Sequence, residues 1–201
     1  MSKDLANLSL TSYLDALAAA QPVPGGGAVA GVTLAQANAL GAMVVGYAIG
    51  KPKFAPHDTL HRAAHETFER GRRAALELAR EDAEAYELLN RLWKLPKEDP
   101  LRAGFQDAVL AAIRAPEESV TLAKSTLDAL ETLVGTTSAS LASDLRIAVD
   151  LAACGARAAQ ENVRINLPSV ADEALRAEIG TRTEAMLAAC EAKARELTAR
   201  V

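Results

Sequence analysis

Asp82 breaks the pattern of the segment that contains it. Plotted at about 100° per residue, Ala64, Phe68, Ala75, Leu78, Ala79, Tyr86, Leu89 and Trp93 fall on one stripe, with Leu60 and Gly71 in line. Glu69, Arg73, Glu77, Arg80, Glu84, Glu87 and Arg91 fall on the opposite face. Asp82 lies inside the apolar stripe, one turn before Tyr86. A carboxylate there must be hydrogen-bonded, paired or kept for chemistry, because desolvating a charge is costly and raises its pKa. The chemistry would be proton transfer, since a carboxyl tuned toward neutrality serves as a general acid/base. The alternative is a buried carboxylate satisfied by a helix end or a tyrosine hydroxyl.

Residues 143–167 repeat the anomaly. Arg146, Asp150, Arg157, Glu161 and Arg164 share one face, while Asp144, Asn162 and Asn166 lie on an otherwise small, apolar side. Asp144 and Asn162 are about 27 Å apart along a straight helix, too far to serve one small site within it. Either one of them is structural, or each faces a different chain of an oligomer. For Asp144, a first-turn role complementing the helix dipole is an equal alternative to a catalytic one. Asn162 and Asn166, one turn apart, either present amides to a polar ligand or bond across helices.

A third group is built of backbone. Gly25-Gly26-Gly27-Ala28-Val29-Ala30 formally matches G-x-G-x-x-A, but a dinucleotide fold needs a strand before it. Here a helical stretch and two prolines, Pro22 and Pro24, precede it. The glycines still open a helix, where free N–H groups can hold an anion or a polar ring edge. Lys51 and Lys53 follow in a loop, as solvated cations or as contacts for an anionic tail. His57, His61 and His65 are spaced four apart, yet the glutamate a zinc protease needs after its first histidine is Arg62. No metal site is expected, and the histidines are expected to be partly exposed on a helix surface. No serine or cysteine nucleophile has a convincing histidine partner.

These residues must be positioned by helices. The chain has 201 residues, 50% hydrophobic but only 3% aromatic, with alanine dominating and β-branched residues sparse. That composition predicts a single all-α domain over residues 1–201, an antiparallel bundle of about six helices around a buried Ala/Gly-rich central helix. The helices are expected at residues 9–20, 27–50, 58–94, 101–114, 116–133, 143–167 and 172–200, with Asp58 capping the third and Pro116 in the first turn of the fifth. Residues 16–50 carry no charge and are long enough to span a bilayer. Pro22, Pro24 and the triple glycine interrupt that run, and Thr33, Gln36 and Asn38 make it polar, so a buried core helix is expected rather than a membrane span. Glycines four apart, at Gly27/Gly31 and Gly46/Gly50, would let neighbouring helices approach closely. A net charge of −4 argues against nucleic acid as the main partner. The start MSKDLANLSL shows no leader pattern, and Cys154 and Cys190 show no metal or redox spacing. A cytoplasmic, reducing location is the expectation.

The phrase Pro22-Val23-Pro24-Gly25-Gly26-Gly27-Ala28, followed by an uncharged helix ending Gly50-Lys51-Pro52-Lys53-Phe54, resembles the cyclodeaminase domain of formiminotransferase-cyclodeaminase and the related stand-alone methenyltetrahydrofolate cyclohydrolases. The resemblance runs on through Asp82-Ala83-Glu84-Ala85-Tyr86, Leu95-Pro96-Lys97, Ser143-Asp144-Leu145 and Asn162-Val163-Arg164-Ile165-Asn166-Leu167, covering nearly the whole chain. It implies an all-helical homodimer that binds folate and acts at the methenyl-tetrahydrofolate level, with no cofactor besides the folate substrate. It further implies Asp82 and Asp144 as catalytic candidates. Pro24, Gly25, Gly26, Gly27, Tyr86, Asn162 and Asn166 would hold the substrate, and Lys51 and Lys53 its polyglutamate tail. Two positions depart from the family pattern: Ala28 stands where serine is frequent, and Ser140 where asparagine is usual. A helical dimer that kept the fold as a ligand-binding or interaction protein is the alternative reading.

Overall fold

The structure, a computed structural model, describes residues 5–201; Met1–Asp4, the start of the segment read above for a leader, lies outside the described residues. Six α-helices follow one another: α1 (Leu10–Ala18), α2 (Gly26–Gly46), α3 (Asp58–Trp93), α4 (Phe105–Glu131), α5 (Ala142–Asn166) and α6 (Glu173–Arg200). Short 3₁₀ turns and loops join them, and no strand occurs among the described residues.

Their ends follow from local chemistry. Ser9 caps α1 by accepting from the Ser12 N–H at 3.1 Å, and Asp172 caps α6 by accepting from Ala174 and Leu175. Helix α2 starts at Gly26, one residue earlier than expected, and stops at Gly46 rather than Gly50. The chain turns at Gly50, whose φ of +71° favours glycine. Asp58 does not cap α3 as expected; it is the first helical residue, and its carboxylate accepts from the Gly50 N–H at 2.8 Å and from Arg62 at 2.7 Å. It therefore fastens the α2–α3 connection to α3.

Helix α2 is the centre of the bundle, packed on α3, α5 and α4. Its contacts run antiparallel to α3: Gly27 meets Asp82, Gly31 meets Ala75 and Ala79, and Gly41 meets Phe68. Against α5 the order is also reversed, with Gly26 near Asn162 and Leu34 near Gly155. A Cβ on Gly31 would come within 2.6 Å of the Ala75 carbonyl oxygen, so only glycine permits this approach. The expected glycine spacing thus serves packing at Gly27 and Gly31, whereas Gly46 and Gly50 have nothing nearby. By length and composition α2 could cross a membrane, yet 61% of its most apolar window is buried within the protein. The main core gathers Leu34, Val44, Val45, Phe68, Leu127 and Leu130 around it, and a second cluster of Leu89, Ile113, Val163 and Ile179 lies under the other end of α3. The apolar stripe of α3 is buried in its middle, while Leu60 and Trp93 emerge at its ends.

The two helices expected at 101–114 and 116–133 are one, α4, with Pro116 inside it. Proline in a helix interior removes one hydrogen bond, the one from its own nitrogen to the carbonyl four residues back, here Ala112. That carbonyl is not left bare, because the Asn166 side chain of α5 donates to it at 3.3 Å. Tertiary packing supplies what the proline took away, so the helix continues.

Candidate functional site

The start of α2, the middle of α3 and the end of α5 converge on a cavity of about 360 Å³, within the range of small-molecule sites. Gly25, Gly26 and Gly27 come from the α2 start, Asp82, Tyr86 and Trp93 from α3, and Asn162, Ile165 and Asn166 from α5. Pro22, Val23 and Ala112 complete the lining. The loop ahead of α2 contains a cis peptide bond between Val23 and Pro24; Pro24 itself is buried and is not among the lining residues.

Asp82 is the carboxyl of the cavity lining. No hydrogen bond or ion pair to its carboxylate occurs among the described residues, and burial pushes its pKa up to about 6. Neither the helix-end nor the tyrosine partner considered from the sequence is present. The carboxylate fits only because residue 27 is glycine: a Cβ there would lie 1.9 Å from Asp82 Oδ2. Directly beside it, no side chain caps α2, and the first N–H groups of that helix have no intrahelical acceptor. The site therefore pairs a partly neutral acid with a row of backbone donors, a combination suited to moving a proton beside a polar or anionic group.

The two asparagines do different things. Asn162 Nδ2 donates to the Ala158 carbonyl at 2.9 Å, and its amide stands beside Gly26. Asn166 is 4% exposed and bonds across to α4 as well as along α5, to the Asn162 carbonyl at 3.0 Å. Of the two roles weighed from the sequence, bonding across helices is realised by Asn166, and both asparagines line the cavity. Tyr86 and Trp93 meet edge to face at 6.4 Å, and Trp93 leans in turn on Phe105, building an aromatic wall.

Other expected residues lie elsewhere. Asp144 sits in the first turn of α5, at the end remote from Asn162, and does not line the cavity. Lys51 and Lys53 are exposed beyond the far end of α2, with Lys53 Nζ 5.2 Å from the centre of the Phe54 ring. Within one chain the structure therefore separates these three from Asp82. His61 corrects the expectation of exposed histidines: it is fully buried, its Nε2 hydrogen-bonds the Thr136 hydroxyl at 3.2 Å, and burial lowers its pKa. His57 is exposed and His65 half-buried. Neither departure from the family pattern touches the cavity: Ala28 is fully buried, and Ser140 bonds Ser138 on the surface. The sequence reads Trp93 only as part of the apolar stripe; the signal that could have marked it is that it is the only tryptophan, on the stripe of Asp82 and Tyr86. Ala112 and Ile165 carried no such signal.

An all-helical bundle with a glycine-floored pocket around an unpartnered carboxyl is a small-molecule site equipped for acid/base work. Residues 9–185 match the formiminotransferase-cyclodeaminase family, and the chain belongs to that family. It is 30% identical over 187 residues to a methenyltetrahydrofolate cyclohydrolase of Methylorubrum extorquens, covering 90% of each chain. It is 28% identical to a pig (Sus scrofa) formimidoyltransferase-cyclodeaminase, matching 92% of this chain but 35% of that larger protein. Its fold matches the crystal structure of formiminotetrahydrofolate cyclodeaminase from Thermotoga maritima with a TM-score of 0.86 and 28% identity, over 96% of this chain and 97% of that one.

Proposed function

We propose that this protein is a folate one-carbon enzyme that hydrolyses methenyl-tetrahydrofolate to formyl-tetrahydrofolate, with Asp82 as its general acid/base. The observation that carries the proposal is the unpartnered Asp82 carboxyl, raised to about 6, against the uncapped start of α2 in a cavity of about 360 Å³. Hydrolysis begins when water attacks the cationic carbon bridging the two folate nitrogens. Asp82, ionised above its raised pKa, takes a proton from that water as the new C–O bond forms. The proton then passes to a ring nitrogen; as the bond from carbon to that nitrogen breaks, the new hydroxyl becomes the C=O and gives its remaining proton to solvent, and the formyl group stays on the other nitrogen. A carboxylate near a cationic substrate also lowers the energy of the bound cation. The α2 N–H groups, Asn162 and Asn166 orient the polar ring edge, and Trp93 offers an apolar face.

Deamination of formimino-tetrahydrofolate is the second reading, favoured by the close structural likeness to a cyclodeaminase. It uses the same carbon: a folate nitrogen attacks, its proton passes to the imino nitrogen, a second proton is supplied at Asp82, and ammonia departs as the ring closes to the cationic methenyl bridge.

The protein acts, on this reading, as a cytoplasmic homodimer on polyglutamylated substrate. Helices α2 and α5 leave an uncharged exposed face, with Val29, Met43 and Tyr47 on one and Ile147 and Ile165 on the other, the last 70% exposed. Helix α2 is about 30 Å long, so Lys51 and Lys53 lie too far from Gly26 to meet the same ligand within one chain. Across an antiparallel α2 pair, Lys51 of the partner subunit would reach the anionic tail. Asp144 is proposed as a first-turn residue complementing the α5 dipole.

Loss of methenyl-tetrahydrofolate absorbance with the purified protein, against an Asp82→Asn control, tests the reaction. Faster loss than the uncatalysed rate, abolished in the variant, is expected; no acceleration here but turnover of formimino-tetrahydrofolate selects the second reading. Failure with both, by a folded protein, favours an interaction role.

A further inference from the structure

Asn166 has an amide whose orientation is fixed and whose oxygen is unanswered. Both hydrogens of Nδ2 are engaged, one by the Ala112 carbonyl at 3.3 Å and one by the Asn162 carbonyl at 3.0 Å. Turning the amide over would set its oxygen against two carbonyl oxygens, so the arrangement has a single sense. Oδ1 is then left buried without a hydrogen-bond partner, in a side chain that lines the cavity. A buried acceptor without a donor is costly, and native proteins keep few of them.

The cause is traceable to one residue. In an ordinary helix the Ala112 carbonyl would accept from the N–H of residue 116. Pro116 has none, and it is buried in the interior of α4 without breaking it. The vacant carbonyl belongs to a residue of the cavity wall and faces α5, where Asn166 takes it. Restoring the N–H would give Ala112 a local donor and release half of the amide's anchorage.

We propose that Pro116 is a positioning residue for the cavity: by lacking an N–H it frees the Ala112 carbonyl to hold the Asn166 amide with Oδ1 as an acceptor for a hydrogen-bond donor of the ligand. Given the proposed function, on which the identity of that ligand rests, the donor is a ring N–H or amino group of a reduced pterin. The device selects polarity as well as shape. A ring edge presenting an acceptor would meet Oδ1 with repulsion, whereas a donor completes its bonding. The Oδ1 acceptor and the α2 donors then read opposite kinds of group within one cavity.

Pro116→Ala tests this in two arms, with Pro116→Ser as a second variant should the first not fold. In the first arm, hydrogen exchange of the Asn166 side-chain amide is followed by NMR without ligand. The proposal expects exchange about tenfold faster in Pro116→Ala, with global stability equal or higher because a helix bond is regained. Unchanged exchange overturns the positioning role. In the second arm, KM and kcat for methenyl-tetrahydrofolate are measured for Pro116→Ala, Asn166→Ala and the double variant. Loss of one hydrogen bond predicts KM raised about five- to tenfold in Pro116→Ala with kcat within about twofold, and no further rise when Pro116→Ala is added to Asn166→Ala. The same KM penalty in both backgrounds would mean that Pro116 acts on the fold and not through Asn166, which overturns the ligand-acceptor role. A wild-type protein that neither binds nor turns over folate sinks the functional reading and the pterin donor with it, while the exchange arm still decides whether Pro116 holds Asn166.

Discussion

Asp58 and Asp82 occupy one helix, about 36 Å apart, and their surroundings push them in opposite directions. The Gly50 N–H and the Arg62 guanidinium hold Asp58 below the usual carboxylate range. Burial with no partner raises Asp82 to about 6. At the Asp58 end the carboxylate is answered by two donors and ties a turn in place, and His61 Nε2 is bonded to Thr136 while its buried Nδ1 has no partner among the described residues. At the Asp82 end a carboxyl, an amide oxygen and a helix start are all left open. Satisfied polar groups build structure, while open ones placed around a cavity cost stability and are available to a ligand.

The largest expected effect comes from closing the open acid. Asp82→Asn should lower kcat by about 10²–10⁴-fold, the range of general acid/base catalysis, and leave the fold intact. In the wild type, kcat/KM should rise with pH and level off above about 6, as the carboxyl ionises to serve as base; a profile without that limb removes Asp82 from the mechanism. Stability carries the opposite sign. A carboxyl with a raised folded pKa favours folding in its protonated form, and this advantage is full below its unfolded pKa and lost as pH rises through about 6. Denaturant melts should therefore find Asp82→Asn more stable than wild type at pH 8, by about 2–3 kcal/mol, with the difference gone near pH 4.

Two glycines on the same face of α2 sharpen the comparison. In Gly27→Ala the new methyl meets the end of the Asp82 side chain, which can swing away. We expect activity to drop about 10–100-fold, because a displaced catalytic group is a mispositioned one, with little change in Tm. In Gly31→Ala the methyl meets the Ala75 backbone oxygen, which cannot move without shifting α3. That variant should lose about 1–3 kcal/mol on thermal unfolding while the chemistry per folded molecule survives. Equal behaviour of the two would contradict the division between site and scaffold. Trp93→Ala should raise KM about two- to tenfold with kcat nearly unchanged, as expected for loss of one aromatic contact. Asp58→Asn should have the smallest effect, a slight fall in Tm at neutral pH that vanishes as pH drops through the lowered pKa of the wild-type carboxyl. Its kcat should match wild type.

The helices and the identity of the central acid were legible in the sequence because they rest on period and on local punctuation. Alanine content, a 3.6-residue stripe and the breaks at Pro22–Pro24, Pro52–Pro56 and Pro96–Pro100 bounded α2 and α3 to within a few residues, and one carboxylate out of phase marked Asp82. The family resemblance is matched by the family assignment and by the fold of a cyclodeaminase. Proline misled where it is usually most reliable: Pro116 reads locally as a helix start, yet α4 runs through it, and a side chain from α5 takes the carbonyl it leaves vacant. The histidine spacing read as surface because neighbours at four residues share a face, whatever covers that face; Thr136 and the core cover His61. Above all, a sequence records which groups are polar but not whether each has a partner. That depends on which atoms of α2, α3, α4 and α5 come within three or four ångströms of one another, and only packing decides it. The chain's own letters determined that Asp82 would be an odd acid on an apolar face. The tertiary structure decided that Gly27 would make room for it, that no protein group among the described residues would satisfy it, and that the Asn166 oxygen would be buried without a hydrogen-bond partner in a side chain of the same cavity wall.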